Sequence, residues 1–165
     1  MDYQHVTHES IPPYINEESN ILILGSLPSI KSREYGFFYA HPQNRFFKTI
    51  AHVFNEEEPK TIEDRKEFLK RHNVALYDVI YECDIQGSSD SSIKNVVPIN
   101  LSKILKEHPN IKRIYTTGKK AKDLYDKYLL PQTGIEAIPL PSTSGANATM
   151  SQKELEEHYK IILEK

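Results

Sequence analysis

Short apolar-rich runs alternate along the chain with longer stretches in which apolar positions recur every three or four residues. Such runs, bounded by Gly, Pro or Asn, are typical of strands that are buried on both faces of a sheet. They occupy residues 21–24 (ILIL), 74–80 (VALYDVI), 111–115 (IKRIY) and 135–140 (IEAIPL). The pattern therefore predicts four strands.

The intervening stretches have the periodicity of amphipathic helices. Residues 46–54 place their aromatic and aliphatic side chains on one stripe, with polar side chains on the opposite face. Further helices are predicted at 61–72 with Thr61 as a candidate cap, at 101–107, at 118–130, and at 152–165 with Ser151 as cap. Strands that alternate with helices predict an α/β domain with a parallel sheet. We expect residues 1–20 to be an N-terminal arm over the surface and residues 21–165 to form a single domain.

Composition narrows the classes of function. The 165 residues fit one domain, and 21 basic against 23 acidic residues give a net charge of −2. A nucleic-acid partner would thus require basic side chains gathered on one face. The single cysteine, Cys83, excludes an internal disulfide and a cysteine-cluster metal site, and a buried inert thiol is expected there. With no apolar run near the ~20 residues that span a bilayer and no secretory signal, a cytoplasmic protein is expected.

One edge of the predicted sheet is the candidate site. In a parallel sheet the carboxyl ends of all strands lie at the same edge, where ligands bind. The segments that follow the predicted strands are residues 25–29 (GSLPS), 82–84 (ECD), 116–118 (TTG) and 141–144 (PSTS). We therefore expect these four segments to be neighbours.

Two of these loops are rich in Ser, Pro and Gly, and their hydroxyls and amides suit phosphate oxygens, although such residues also form ordinary turns. The stretch 37–47 (FFYAHPQNRFF) is more informative. Pro42 suits the first turn of a helix, which would place Asn44 in that turn beside free backbone amides. Tyr39 offers a ring face on which a planar heterocycle can stack. Spacing alone favours the structural alternative, in which Asn44 caps the turn and Tyr39 fills the core.

Each of several other polar residues fits two different roles. Asp90, in the polar stretch 87–95, can cap a turn or pair with a base. Lys119 and Lys120 can contact phosphate or form a solvated face. His41 can act as an acid or base, although a lone histidine beside proline is more often structural.

Several motifs in a fixed order resemble the uracil-DNA glycosylase superfamily, and within it the hypoxanthine-DNA glycosylase (deoxyinosine-excising) branch. They are residues 25–29 (GSLPS), 38–47 (FYAHPQNRFF) and 140–144 (LPSTS), with support from 78–80 (DVI), 87–95 (GSSDSSIKN) and 117–121 (TGKKA). The similarity runs from about residue 20 to residue 165. Any one of these motifs is weak, whereas all of them in this order form a specific signal.

The resemblance implies a three-layer α/β/α sandwich with a four-stranded parallel sheet. It also implies monofunctional hydrolysis of the N-glycosidic bond of a damaged base, with no metal and no cofactor. We expect a monomer whose partner is double-stranded DNA that carries a damaged or mismatched base. Most branches hold a water-positioning Asp or Asn in the first motif, where this chain has Leu27. In the hypoxanthine branch that role falls on the Asn of the second motif, which is Asn44 here.

The resemblance and the residues together give three groups of candidates. The catalytic candidate is Asn44. The candidates for base binding are Gly25, Ser26, Leu27, Tyr39, His41 and Asp90. The candidates for the DNA backbone are Pro28, Ser29, Lys119, Ser142, Thr143 and Ser144. The chain departs from the family in having Phe46-Phe47 where a Phe-Trp pair is usual and Thr117 where Asn often stands. No wedge residue stands out, because Thr143, Ala146 and Asn147 are all small.

Two other functions fit the sequence. Leu27 in the usual catalytic position suits a non-catalytic module that binds damaged DNA or a free nucleotide, and turnover separates that module from an enzyme. A nucleotide-handling hydrolase that acts on monomers is the second alternative, and dependence on a DNA duplex separates it from a glycosylase.

Overall fold

Four parallel strands form the centre of the fold. The computed structural model describes residues 2–87 and 89–164. Its strands are β1 (Gln4–Thr7), β2 (Ile21–Gly25), β3 (Val74–Asp78), β4 (Ile80–Ile85), β5 (Lys94–Pro98), β6 (Arg113–Thr117) and β7 (Ile138–Leu140). The central sheet has the order β3-β2-β6-β7, and all its pairs are parallel. The predicted four-stranded parallel sheet is confirmed.

Strand register brings three polar positions together at the carboxyl edge of this sheet. Gly25, at the end of β2, pairs with Asp78 at the end of β3. On the other side, Leu24 pairs with Thr116, so Thr117 lies one step further along, beside Gly25. Every residue of β2 and β3 is buried, as expected of strands covered on both faces. The floor of the predicted site is therefore set by backbone pairing.

Several predicted strand bounds were wrong. The run at 74–80 divides, since β3 ends at Asp78 and a different strand begins at Ile80. Of the run at 135–140, only the three residues Ile138–Leu140 form a strand, β7. The strand predicted at 111–115 lies two residues later, because β-branched Thr116 and Thr117 extend it.

A second sheet, with the antiparallel order β1-β4-β5, was not predicted. Glu82, Cys83 and Asp84 lie inside β4, and His5 of β1 bridges the two carboxylates at 2.8 and 2.9 Å. The expectation that residues 82–84 follow a strand end and face the site was wrong. The alternation of charged and apolar residues in this segment is the pattern of a strand with one solvated face.

The first twenty residues do more than lie over the surface. They contribute β1, and Val6, His8 and Ile11 are buried in the core. Tyr14 also exchanges two backbone hydrogen bonds of 3.0 Å with Leu76 of β3. The N-terminal segment is thus packed into the same unit as the rest of the described chain.

Seven α-helices lie among the described residues. They are α1 (Ile30–Tyr35), α2 (Phe46–Val53), α3 (Ile62–Arg71), α4 (Leu101–Glu107), α5 (Lys119–Leu124), α6 (Leu130–Thr133) and α7 (Gln152–Tyr159). The predicted caps are present: the Thr61 hydroxyl accepts from the backbone N–H of Asp64, and Ser151 forms a capping box with Glu154. A π-helical turn joins α5 to α6, so this helical segment ends later than predicted. None of these helices has the length and apolar character needed to cross a membrane.

The helix of the second motif begins later than predicted. Residues 41–44 form a turn, in which the backbone N–H of Asn44 donates to the carbonyl of His41 at 2.9 Å. The helix α2 starts at Phe46, so neither Pro42 nor Asn44 lies in its first turn. Asn44 instead precedes the helix and caps it from outside.

Candidate active site

A cleft of about 670 Å³ opens at the carboxyl edge of the central sheet. The ends of β2, β3 and β6, the loop after β7 and the segment before α2 all contribute to its walls. The cleft brings together every candidate from the sequence: Gly25, Ser26, Leu27, Pro28, Ser29, Tyr39, His41, Asn44, Asp90, Lys119, Ser142, Thr143 and Ser144. Asp78 and Thr117 line it as well.

The carboxamide of Asn44 is held in one orientation. Its Oδ1 accepts from the backbone N–H of Phe46 at 2.9 Å and from the hydroxyl of Thr143 at 2.8 Å. Because a backbone N–H can only donate, the atom that faces Phe46 must be the oxygen. Both lone pairs of Oδ1 are then used. Across residues 2–87 and 89–164 no hydrogen bond engages Nδ2, so the amide N–H groups are the free end of this side chain.

The loop that supplies Thr143 is braced by Arg45. The guanidinium of Arg45 donates to the carbonyls of Met150 and Asn147, both at 2.9 Å, and its backbone N–H donates to the Thr143 carbonyl at 2.9 Å. Thr143 is buried. Arg45 therefore fixes the geometry of the loop and is not available to a phosphate.

Tyr39 has a fixed ring at the wall of the cleft. The ring stacks on Phe46 with centroids 3.9 Å apart and planes 12° from parallel, and the hydroxyl lies 3.0 Å from Thr117 Oγ1. Burial raises the pKa of the Tyr39 hydroxyl well above its usual range, so the group stays neutral. The backbone at Tyr39 is left-handed, with φ at 53°. One face of the ring is covered by Phe46, which leaves the other as the candidate face for a flipped base.

Asp78 lies against a glycine at the floor of the cleft. A Cβ atom on Gly25 would stand 2.5 Å from Asp78 Oδ1, a distance that no ordinary contact allows. The absence of a side chain at Gly25 is thus what admits the Asp78 carboxylate here. Tyr39 and Thr117 complete the surroundings, since their oxygens lie 3.5 and 3.6 Å from the same point.

The other oxygen of Asp78 binds a buried histidine. His8 Nε2 lies 2.7 Å from Asp78 Oδ2, and His8 Nδ1 lies 2.6 Å from the carbonyl of Ile11. The structure describes no partner for Asp78 Oδ1 within residues 2–87 and 89–164. This oxygen is therefore an acceptor that a bound molecule can use.

Basic side chains stand around the mouth of the cleft. Lys119, Lys120 and Arg33 line it, and Lys119 also pairs with exposed Asp123 at 2.9 Å. Asp90 lies among them. Partial desolvation raises the pKa of the Asp90 carboxyl, while the charge of Lys120 acts in the opposite direction. Three basic side chains therefore stand at the cleft, where Asp90 and Asp123 offset part of their charge.

Two functional residues were missed or undervalued in the sequence: Asp78, which lines the cleft, and His8, which is buried behind it. Asp78 was noted only as part of a motif, because the strand predicted at 74–80 runs past it; a charged residue inside an apolar run was the available signal. His8 gave no signal, because nothing in its local pattern shows that the N-terminal segment enters the core. Cys83 is buried as expected, and burial raises the pKa of its thiol, so it is not an activated nucleophile.

Comparison with known proteins gives the family. The family model of the uracil DNA glycosylase superfamily matches residues 12–165, and the chain belongs to that superfamily. The hypoxanthine DNA glycosylase of Methanosarcina barkeri is 37% identical over 141 residues, which cover 84% of this chain and 87% of that protein. The hypoxanthine DNA glycosylase of Methanosarcina acetivorans is 33% identical over 152 residues, or 92% of this chain and 94% of that protein.

A solved structure agrees with this assignment. It is the solution NMR structure of a candidate uracil DNA glycosylase from Methanosarcina acetivorans, which superimposes with a TM-score of 0.78 at 32% identity. The match covers 93% of this chain and 96% of that one.

Among residues 2–87 and 89–164, no group of three or more His, Cys, Asp or Glu side chains is arranged to hold a metal ion.

Proposed function

We propose that the protein is a monofunctional DNA glycosylase that hydrolyses the N-glycosidic bond of a deaminated base. The nucleotide is flipped out of a duplex before cleavage, and hypoxanthine is the preferred base. Membership of the superfamily and the names of the two relatives support this class of activity. The observation that carries the proposal is Asn44, whose carboxamide is fixed from two sides with its N–H groups free in the cleft. A cytoplasmic monomer remains our prediction.

Asn44 suits a reaction in which the nucleophile is weak. Cleavage of this bond passes through an oxocarbenium-like state, with positive charge on the sugar and negative charge on the departing base. Because Oδ1 of Asn44 already accepts two hydrogen bonds, the side chain cannot act as a base. Its N–H can donate to a water oxygen and hold that water beneath the anomeric carbon with a lone pair directed at it. Positioning of this kind suffices when the sugar cation is the strong electrophile.

Asp78 gives a reason for the choice of deaminated bases. Deamination of adenine or cytosine converts a ring nitrogen on the Watson–Crick edge from an acceptor into an N–H donor, and enzymes read a flipped base along that edge. We propose that Asp78 Oδ1 accepts this N–H. A normal adenine or cytosine would instead direct a lone pair at the carboxylate oxygen. Ser26, Leu27, His41 and Asp90 complete the proposed base pocket.

The remaining candidates form the proposed contact with the DNA backbone. Pro28 and Ser29 follow β2, and Ser142 and Ser144 follow β7, so two loops border the cleft. Thr143 is buried with its hydroxyl on Asn44, so it supports the second loop and does not contact a phosphate. Hydroxyls and loop amides are common donors to phosphate oxygens, and Lys119 adds charge. Attraction between these basic side chains and the phosphates predicts binding that weakens as salt is raised.

The activity is tested with labelled duplexes that carry a single hypoxanthine, uracil, xanthine or mismatched thymine, treated with alkali after incubation to reveal abasic sites. We expect cleavage at hypoxanthine above the others. Cleavage chiefly at uracil would keep the superfamily and change the substrate. Binding without cleavage of any duplex would support the binding module, and cleavage of free nucleosides alone would support the hydrolase of monomers.

Tyr39→Ala is expected to reduce discrimination between hypoxanthine and undamaged DNA roughly tenfold, because stacking of a base on an aromatic ring contributes about 1–3 kcal/mol. Discrimination is measured as hypoxanthine cleavage in the presence of increasing undamaged competitor. Tyr39→Phe is the matched control, since it keeps the ring and removes only the hydroxyl near Thr117. Equal discrimination by the alanine variant and the wild type would exclude stacking on this ring.

A further inference from the structure

The buried pair of His8 and Asp78 joins the N-terminal segment to the floor of the cleft. The side chain of His8 has no exposed surface, and that of Asp78 is 6% exposed. His8 follows β1, whereas Asp78 ends β3, so the contact spans 70 positions of the chain. The rings of Tyr77 and Phe38 enclose the imidazole, with centroids 4.7 and 5.9 Å from it.

The hydrogen bonds fix how many protons this pair carries. The Ile11 carbonyl can only accept, so His8 Nδ1 bears a proton. The 2.7 Å contact between Nε2 and Asp78 Oδ2 needs a second proton between the two atoms, and because the pKa of His8 is raised we place that proton on the imidazole, opposite a carboxylate. Burial by itself lowers the pKa of His8, but the hydrogen bond and charge of Asp78 outweigh it, and the pKa is raised. Together the two groups are neutral.

We infer that His8 is a positioning residue for the glycosylase reaction: it orients the Asp78 carboxylate toward the flipped base and cancels its charge. The inference rests on the proposed function. His8 holds Oδ2 away from the cleft, so Oδ1 alone is presented beside Gly25. The imidazole itself stays out of contact with substrate, since it acts through Asp78.

Charge compensation matters because of the direction in which charge moves. The base departs with negative charge, and donors or positive charge near it lower the barrier. An uncompensated carboxylate against the same base would raise that barrier, even while its oxygen recognised the base correctly. His8 removes this conflict, since recognition by Oδ1 is kept and the net charge facing the leaving group is zero.

The other titratable groups close to the pair carry no charge that competes with His8 near neutral pH. The titratable groups that lie against it are Tyr77 on β3 and Tyr39 at the wall of the cleft, and Cys83 is the buried titratable group of the neighbouring strand β4. Burial raises the pKa of Tyr77 to about 12, and it also raises the pKa of Tyr39 and of the Cys83 thiol. All three remain neutral between about pH 5 and 8. Asp90 also lines the cleft, and partial burial raises the pKa of its carboxyl.

The test compares four proteins: the wild type, His8→Gln, Asp78→Asn and the double variant. Single-turnover cleavage of the hypoxanthine duplex is measured at saturating enzyme from about pH 5 to 9. The wild-type rate should fall as pH rises through the His8 pKa, because loss of that proton leaves a net negative pair. His8→Gln should be slower by about tenfold or more at neutral pH and should lack this alkaline limb.

The double variant separates a positioning role from a merely structural one. Once Asp78 is replaced by a neutral amide, the charge of His8 has nothing to cancel, so His8→Gln should add no further loss of rate to Asp78→Asn. A loss in the double variant equal to the sum of the single losses, or an alkaline limb that persists in His8→Gln, would overturn the inference. Folding of each variant is checked by denaturant unfolding. Failure of the wild type to cleave any duplex would count against the proposed function instead.

Discussion

Asn44→Ala should lower single-turnover cleavage at hypoxanthine at least ~100-fold while binding to the duplex stays nearly unchanged. The reason is that the free N–H groups of Asn44 are the only proposed means of holding the attacking water, given that Leu27 occupies the position used elsewhere in the family. Lys48→Ala serves as the control, because Lys48 lies on α2, the helix that follows Asn44, and its side chain is exposed. Cleavage within about threefold of the wild type would remove Asn44 from the mechanism.

Asn44→Asp makes the same test sharper. An aspartate keeps the acceptor for the Phe46 N–H but has no N–H of its own to offer the cleft. If the free amide is what holds the water, the aspartate variant should be as slow as the alanine variant. Activity near or above that of the wild type would mean that the side chain at this position acts through an oxygen, as a base, and that the orientation described for Asn44 changes when DNA binds.

The fold class was predictable because its signals are local. The run ILIL at 21–24 and the stripe along 46–54 each carry their own periodicity, and a parallel sheet follows from their alternation. The convergence of loops on one edge then follows from topology. Topology accounts for the candidates in the loops after β2 and β7, whereas Tyr39, His41, Asn44 and Asp90 were chosen with the help of the family resemblance; all thirteen candidates line the cleft.

The missing parts depend on contacts between distant segments. The antiparallel sheet pairs β1 with β4 across more than 70 positions of the chain. No local pattern in residues 4–7 predicts that β4 is the strand with which they pair. The same contact buries His8 beside Asp78. Asn44 shows a second limit of prediction from the sequence. Its position in the chain indicated a cap, but the orientation of its carboxamide depends on a hydrogen bond from Thr143, 99 positions away.

Gly25→Ala should abolish most of the activity, with a loss of roughly 100-fold, although it adds only one methyl group. The new Cβ would lie 2.5 Å from Asp78 Oδ1, and the carboxylate cannot move aside easily because its other oxygen is bonded to His8. The Gly25 carbonyl also accepts from the backbone N–H of Val79 at 2.8 Å, which ties the two strand ends together. Overpacking of this kind costs about 1–3 kcal/mol of stability.

A double-mutant cycle identifies the clash as the cause. In the Asp78→Ala background the alanine at position 25 meets no carboxylate, so Gly25→Ala should cost less free energy of unfolding there than in the wild type. Denaturant unfolding of the four proteins gives the coupling, and the hypoxanthine assay gives the activity. An equal cost in both backgrounds would show that Gly25 matters for its backbone alone. A smaller cost would show that Gly25 lacks a side chain because the Asp78 carboxylate occupies that space.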